Sequence, residues 1–175
     1  MSGRRPLDAD ERALLDALVR ELGPRLLAYV RRAYGAALDA EEIVAETFGR
    51  AAANISTVRR CEHPELYLFT IARNLCRDQF RRHAATSALA TVQDRAADAL
   101  PADEAIDEVE RRRALLEAVT ALPDAQREVV ALRLAGTLKF EEIAALLDVP
   151  LGTVLSRMHA AVARLREKLG YVCEH

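Results

Sequence analysis

Apolar residues along this chain recur mostly three and four positions apart, the spacing of one face of an α-helix. Over residues 7–22 the repeat runs Leu14, Leu15, Leu18, Val19 and Leu22, and Gly23-Pro24 then interrupts it, which predicts a helix ending there. A second helix is expected from Pro24 to Tyr34, with Leu26, Leu27 and Val30 inward. Asp39 followed by Glu42 has the spacing of a capping box, with Asp in the place usual for Ser or Thr. It opens a predicted helix to Asn54 whose apolar positions are Ile43, Val44, Thr47, Phe48 and Ala51. Residues 54–63 are polar and aperiodic and read as a loop. Pro64 stands where a helix starts and leads a long one to Arg82, with Leu68, Phe69, Ala72, Leu75, Cys76 and Phe80 on its apolar side.

The stretch 84–104, AATSALATVQDRAADALPADE, differs in kind: it is small, acidic, free of aromatics and broken by Pro101. Too few large apolar residues are present to offset the entropy of ordering it, so it reads as a flexible linker. Beyond it, Val109, Leu115, Leu116, Val119 and Leu122 mark a helix ending at Pro123, and another runs from Asp124 to Leu134. Phe140, Ile143, Ala144 and Leu147 then fall at i, i+3, i+4 and i+7. After a turn at Asp148-Val149-Pro150, Val154, Met158, Ala161, Val162, Leu165 and Leu169 form one continuous apolar stripe. The expected fold is all-α: two small helical domains, 1–83 and 105–175, joined by the acidic linker 84–104, the second containing a helix-turn-helix.

Composition sharpens this picture. The chain of 175 residues holds 33 Ala and 25 Leu against 18 Val and Ile together, 8 Phe and Tyr, and no Trp, which excludes a β-sandwich. No apolar run approaches the roughly 20 residues of a membrane span, and no signal-peptide core follows Met1. A protein without membrane insertion, acting in the cytoplasm, is therefore expected. Cys61, Cys76 and Cys173 are scattered and suit neither a disulfide framework nor a CxxC site. His63, His83, His159 and His175 have no metal-ligand spacing, and phosphate loops and nucleophile elbows are absent. Neither catalysis nor a cofactor has support.

The net charge of −2 conceals a blocked distribution: −3 over residues 39–58, +3 over 59–83 and −6 over 84–110. Separated basic segments suit local binding of nucleic acid without a globally attractive field, and ordinary solvated helix faces account for the same charges. Three constellations stand out. Residues 139–169 have the plan of a helix-turn-helix, in which the second helix enters the major groove. With Met158 inward, Gly152, Thr153, Ser156, Ala160 and Ala163 face outward, flanked by Arg157 and His159; an antiparallel helical hairpin would show the same pattern. On helix 64–82, Arg73, Arg77 and Arg81 form a basic stripe beside Asn74 and Asp78, suited to tracking a phosphate backbone while bonding an exposed base. Asp39, Glu41, Glu42 and Glu46 form an acidic block with little positive compensation. The helix dipole accounts for the first three, and Glu46 fits docking to a basic partner.

The stretches DAEEIVAETFGRA (39–51), YLFTIARNLCRDQFRR (67–82), LPDAQREVVALRLAG (122–136) and FEEIAALLDVPLGTVLSRMHAAVARLREKL (140–169), in this order and at these separations, resemble the bacterial RNA polymerase sigma factors. The spacing is similar to that of the compact extracytoplasmic-function (ECF) group. The resemblance implies a promoter-specificity subunit that stabilises the melted −10 strand, not an enzyme, with core RNA polymerase, promoter DNA and an anti-sigma factor as partners. It places Asp39, Glu42, Glu46 and Phe48 on the β′ clamp. It assigns the −10 strand to Asn54, Arg59, Arg60, Arg73, Asn74, Arg77 and Arg81. It assigns the −35 element to Lys139, Thr153, Ser156, Arg157, His159 and Arg164, in a domain that also meets the β flap. Ala52 and Tyr67 stand where the family often has Trp, Lys139 where it has a Ser or Thr cap, Leu155 and Ala160 where basic residues are common, and Asp148 where Gly is frequent. A free-standing helix-turn-helix regulator of duplex DNA, and after it a helical adaptor whose targets are proteins only, are the other readings these motifs admit.

Overall fold

The computed structural model describes residues 5–86, 106–136 and 138–170, and among them every regular element is helical. They fall into two compact units. The first holds α1 (Ala9–Tyr34) as far as Arg31, α2 (Ala40–Ala53), α3 (Ile55–Arg60) and α4 (Pro64–Thr86). The second holds α5 (Ile106–Thr120), α6 (Asp124–Ala135), α7 (Phe140–Leu147) and α8 (Leu151–Leu169). Residues 87–104 of the expected linker lie outside the described residues, and 84–86 belong to the end of α4.

Two expectations for the first unit need correction. The chain does not break at Gly23-Pro24: α1 runs through Pro24 as one helix of 26 residues. Proline inside a helix costs about 3 kcal/mol through the lost N–H and the clash with the preceding turn. Leu22, Leu26, Tyr29 and Val30 on either side of it are almost wholly buried. Each such burial is worth roughly 1.5–3 kcal/mol, so a continuous buried face outweighs the local penalty. Residues 54–63 are not simply a loop either, because Ile55 and Val58, three apart, are buried and hold the short α3.

The core of the first unit gathers these residues with Ile43 and Ala51 of α2 and Leu68, Phe69, Ala72, Leu75 and Cys76 of α4. Phe69 meets Tyr29 edge to face with ring centroids 5.7 Å apart. Phe80, expected on the inner side of α4, is instead 43% exposed. The start of α1 carries a reciprocal capping box that the apolar pattern does not announce. The Glu11 N–H donates to Asp8 Oδ1 at 2.8 Å, and the Asp8 N–H donates to Glu11 Oε2 at 3.0 Å. Arg5 pairs with the buried Glu11 carboxylate at 2.6 Å.

In the second unit α8 packs against α5, α6 and α7. Val119, Leu122, Val130 and Ala161 form a buried cluster, with Met158 and Leu165 packed against it. Ile143, Ala144, Leu146 and Leu147 bury the inner face of α7. The apolar stripes of α7 and α8 thus meet a common core, which leaves one side of α8 to solvent.

Candidate nucleic-acid interfaces

The angle between α7 and α8 is set by a sharp turn. Asp148 ends α7 in the left-handed conformation, at φ 55° and ψ 50°, where a non-glycine residue costs roughly 1–2 kcal/mol and Asp is among the least penalised. The Val149 N–H donates to the Ala144 carbonyl at 3.1 Å, and the Pro150 carbonyl accepts from Thr153 at 2.9 Å to start α8. The entry to α7 is secured without the usual hydroxyl cap. The Lys139 side chain caps nothing; its backbone N–H donates to Glu142 Oε2 at 2.6 Å. Thr137, the other hydroxyl near this cap, lies outside the described residues. Arg133, which the sequence reading passed over, donates to the Leu138 carbonyl at 2.9 Å and lies 5.2 Å from the Phe140 ring centroid. The available signal was a cation seven residues before an aromatic.

The outward face of α8 differs in part from the one expected. Gly152, Ser156, His159, Ala163 and Arg164 are exposed, whereas Thr153, Arg157 and Ala160 are half-buried. Contact with three other helices widens the buried arc beyond the apolar stripe and takes in these flanking positions. Leu155 is 44% exposed and joins the face instead. Lys139 is exposed at the start of the motif, and the Ser156 hydroxyl donates to the Thr153 carbonyl at 3.0 Å.

In the first unit the basic residues divide into those already engaged and those free. Arg81 pairs with Asp78 at 2.9 Å, and Arg73 is half-buried and engaged. Arg60 donates to the Ser56 carbonyl at 3.1 Å on its own helix, and the Asn54 amide donates to the Arg50 carbonyl at 2.9 Å, closing α2. Arg59 on α3 and Asn74 and Arg77 on α4 are exposed and make no hydrogen bond or ion pair within the described residues. Helices α3 and α4 pack on one another, so the free groups stand on adjoining supports.

The acidic block is more compensated than its sequence suggests. Asp39 is occupied as the N-cap of α2, accepting from the Glu42 N–H at 3.0 Å. Glu41 is bridged by Arg31, and Glu46 by Arg50 at 2.9 Å. The Glu42 carboxylate is exposed and, unlike those of Asp39, Glu41 and Glu46, has neither an ion pair nor a hydrogen bond among the described residues. Phe48 corrects the expectation of a docking residue: it is buried, 8% exposed, with its ring edge 4.0 Å from the position a Cβ on Gly23 would take. Its work is to pack α2 onto α1. Among the described residues no cluster of His, Cys, Asp and Glu could hold a metal, and no helix is long and apolar enough to cross a membrane.

Two family models match this chain: Sigma-70 region 2 over residues 18–86 and Sigma-70 region 4 over residues 112–165. The chain is 30% identical over 148 residues to the ECF RNA polymerase sigma factor SigW of Bacillus subtilis, covering 79% of each protein. It is 31% identical over 169 residues to the RNA polymerase sigma factor CarQ of Myxococcus xanthus, covering 93% of this chain and 92% of that one. Its fold matches the sigma factor RpoE from Bartonella quintana, solved with the anti-sigma factor NepR, at a TM-score of 0.78 and 24% identity over 92% of this chain and 99% of that one. A free-standing helix-turn-helix regulator is not favoured, since it would leave the region 2 match on α1 to α4 without a purpose. With both regions matched and relatives 30–31% identical over 79% and 92% of their own length, this chain belongs to the ECF group of RNA polymerase sigma factors.

Proposed function

We propose that this sigma factor divides promoter recognition between its two units, α8 reading the −35 duplex and the α3–α4 face holding the melted −10 strand. The observation that carries the proposal is the contrast in what each face leaves free. The exposed side of α8 places the small Gly152, Ser156 and Ala163 along one line, with His159 between them and Leu155 beside them. Unpaired Arg59, Asn74 and Arg77 line α3 and α4. A groove of fixed width rewards close approach, whereas a flexible single strand rewards long polar arms. Capture of an unpaired base stabilises the open complex because that base is available only after melting. Core polymerase docks on the α2 face, with Glu42 the carboxylate that supports this most directly, and the second unit meets the β flap.

In this reading the first domain spans 1–83, the linker 84–104 and the second domain 105–175. The protein acts in the cytoplasm as a non-enzymatic initiation subunit, and an anti-sigma factor restrains it by covering these surfaces; the RpoE likeness, solved with such a partner, supports that role. The test is promoter-selective run-off transcription with core enzyme. Transcripts are expected only when both elements are present, and the Asn74→Ala, Arg77→Ala variant should lose open complexes while keeping binding to −35 duplex. Loss of both together would refute the division.

A further inference from the structure

Leu155 is an apolar side chain on the exposed side of α8. It is 44% exposed in the second turn of α8, beside Ser156 and one turn before His159, while the core is served by Val154, Met158 and Ala161. Gly152, three residues earlier, adds a second observation. A Cβ built on it would meet nothing within 4 Å, so no internal contact requires glycine there. In the first turn of α8 glycine leaves the backbone bare, so that another surface can approach it closely. The charge around the pair identifies that surface. From Leu151 to Arg166 the helix has no carboxylate and carries Arg157, Arg164 and Arg166. An apolar side chain among cations with no anion fits a polyanion that presents an apolar group, and in duplex DNA the group of that kind in the major groove is the thymine 5-methyl.

We propose that Leu155 is a specificity-determining residue, reading the 5-methyl of a thymine in the −35 duplex, with Gly152 permitting the approach. The inference rests on α8 being the −35 helix, and the test separates the two. Holoenzyme assembled from core polymerase and the full chain is used to select from duplexes randomised over the −35 region. One library is synthesised with thymine and one with uracil, which lacks only the methyl. Wild type should enrich thymine at one position by about three- to fivefold, the order expected for burying one methyl, and lose that preference in the uracil library. Leu155→Ala should enrich the same remaining positions in both libraries without the thymine preference. Its helicity should be unchanged and its melting should fall only slightly, since the side chain is 44% exposed and Val154, not Leu155, fills the core beside it. Gly152→Ala should melt higher yet bind all −35 duplexes more weakly. Identical selections by wild type from the two libraries, or methyl dependence that survives in Leu155→Ala, would overturn the role of Leu155 and leave α8 as the −35 helix. Failure of wild type to enrich any duplex sequence would overturn both.

Discussion

Helices α4 and α8 are the two long amphipathic helices on which the proposed DNA contacts stand, and they solve different problems. On α4 the exposed side keeps Asn74 and Arg77 unpaired, long side chains with hydrogen-bonding ends. On α8 the exposed side of the first three turns is uncharged, with Gly152 and Ser156 beside Leu155 and His159, and the exposed charges Arg164, Arg166, Glu167 and Lys168 lie in the C-terminal half. An α-helix with its side chains is about 10–12 Å across and the major groove about 12 Å wide, so a helix entering the groove gains from short side chains on its leading face. A melted strand has no such wall, and reach matters more than fit. The same periodicity in sequence therefore leaves two different exposed faces, and the proposed division of promoter reading rests on which side chains remain free after folding.

The largest expected effect tests whether the two units fail separately. Phe69 is fully buried against Tyr29, and Phe69→Ala should destabilise the first unit by about 3–5 kcal/mol through lost burial and the cavity left behind. Circular dichroism of the full chain on heating should show part of the helical signal melting early, while −35 duplex binding persists below the second transition. Loss of duplex binding in step with the first transition would show that α8 depends on the first unit.

Next in size is the strand-capturing face. Asn74→Ala with Arg77→Ala should weaken capture of a −10 single strand about 10- to 100-fold, at roughly 1–3 kcal/mol for a pair of desolvated contacts. A template already melted over the −10 region should not rescue this variant, because melting is supplied but capture is not. It should rescue Arg157→Ala better, since that residue is on the duplex-reading helix. Equal rescue would collapse the distinction between the two helices.

How much of this was legible in the sequence varies by residue. The α7–turn–α8 unit was readable almost to the residue, because each helix has a clean apolar stripe and Asp148 tolerates the left-handed turn between them. Continuity of α1 through Pro24 was not, since the decisive energy lies in tertiary burial of Leu26 and Tyr29 rather than in local propensity. The docking role expected of Phe48 meets a buried ring, because exposed carboxylates and core residues lie only one or two positions apart along α2 and the sequence alone does not separate their faces. The acidic block looked uncompensated because Arg31, ten residues before Glu41, becomes its neighbour only when α1 and α2 fold together. Leu155 departs from the basic residues common at its position, and its exposure is visible only in the folded unit.

The third prediction carries the comparison to α2, where pairing again separates free from engaged side chains. Glu42→Lys should weaken core polymerase binding about tenfold, since a like charge placed against a basic surface costs more than a surface substitution does within the fold. Glu46→Lys should cost less. Glu46 already bonds Arg50, and its charge is partly spent there, although an exposed i,i+4 pair of this kind holds only about 0.3–0.5 kcal/mol. A titration of core enzyme with both variants ranks them, and equal losses would show that the Arg50 pair opens on docking.

The smallest effect separates stability from recognition within the second unit. Lys139 occupies the N-cap of α7 with extended backbone, φ −72° and ψ 158°, and its side chain leaves the cap unmade. Serine fits that backbone and supplies an oxygen to the amides of the first turn, worth typically about 1 kcal/mol. The Glu142 carboxylate would still accept from the backbone N–H of residue 139, completing a box that is half-built in the native chain. Lys139→Ser should therefore raise the melting temperature of the second unit by several degrees. The same substitution removes an exposed cation at the edge of the duplex-reading motif. If that cation meets a phosphate, affinity should fall about equally on all −35 sequences, and the slope of log affinity against log salt should become shallower by roughly 1. A rise in stability together with this uniform loss of affinity would mean that lysine occupies the cap for the sake of DNA. A rise in stability with unchanged salt dependence would remove Lys139 from the interface and leave α8 as the contacting helix.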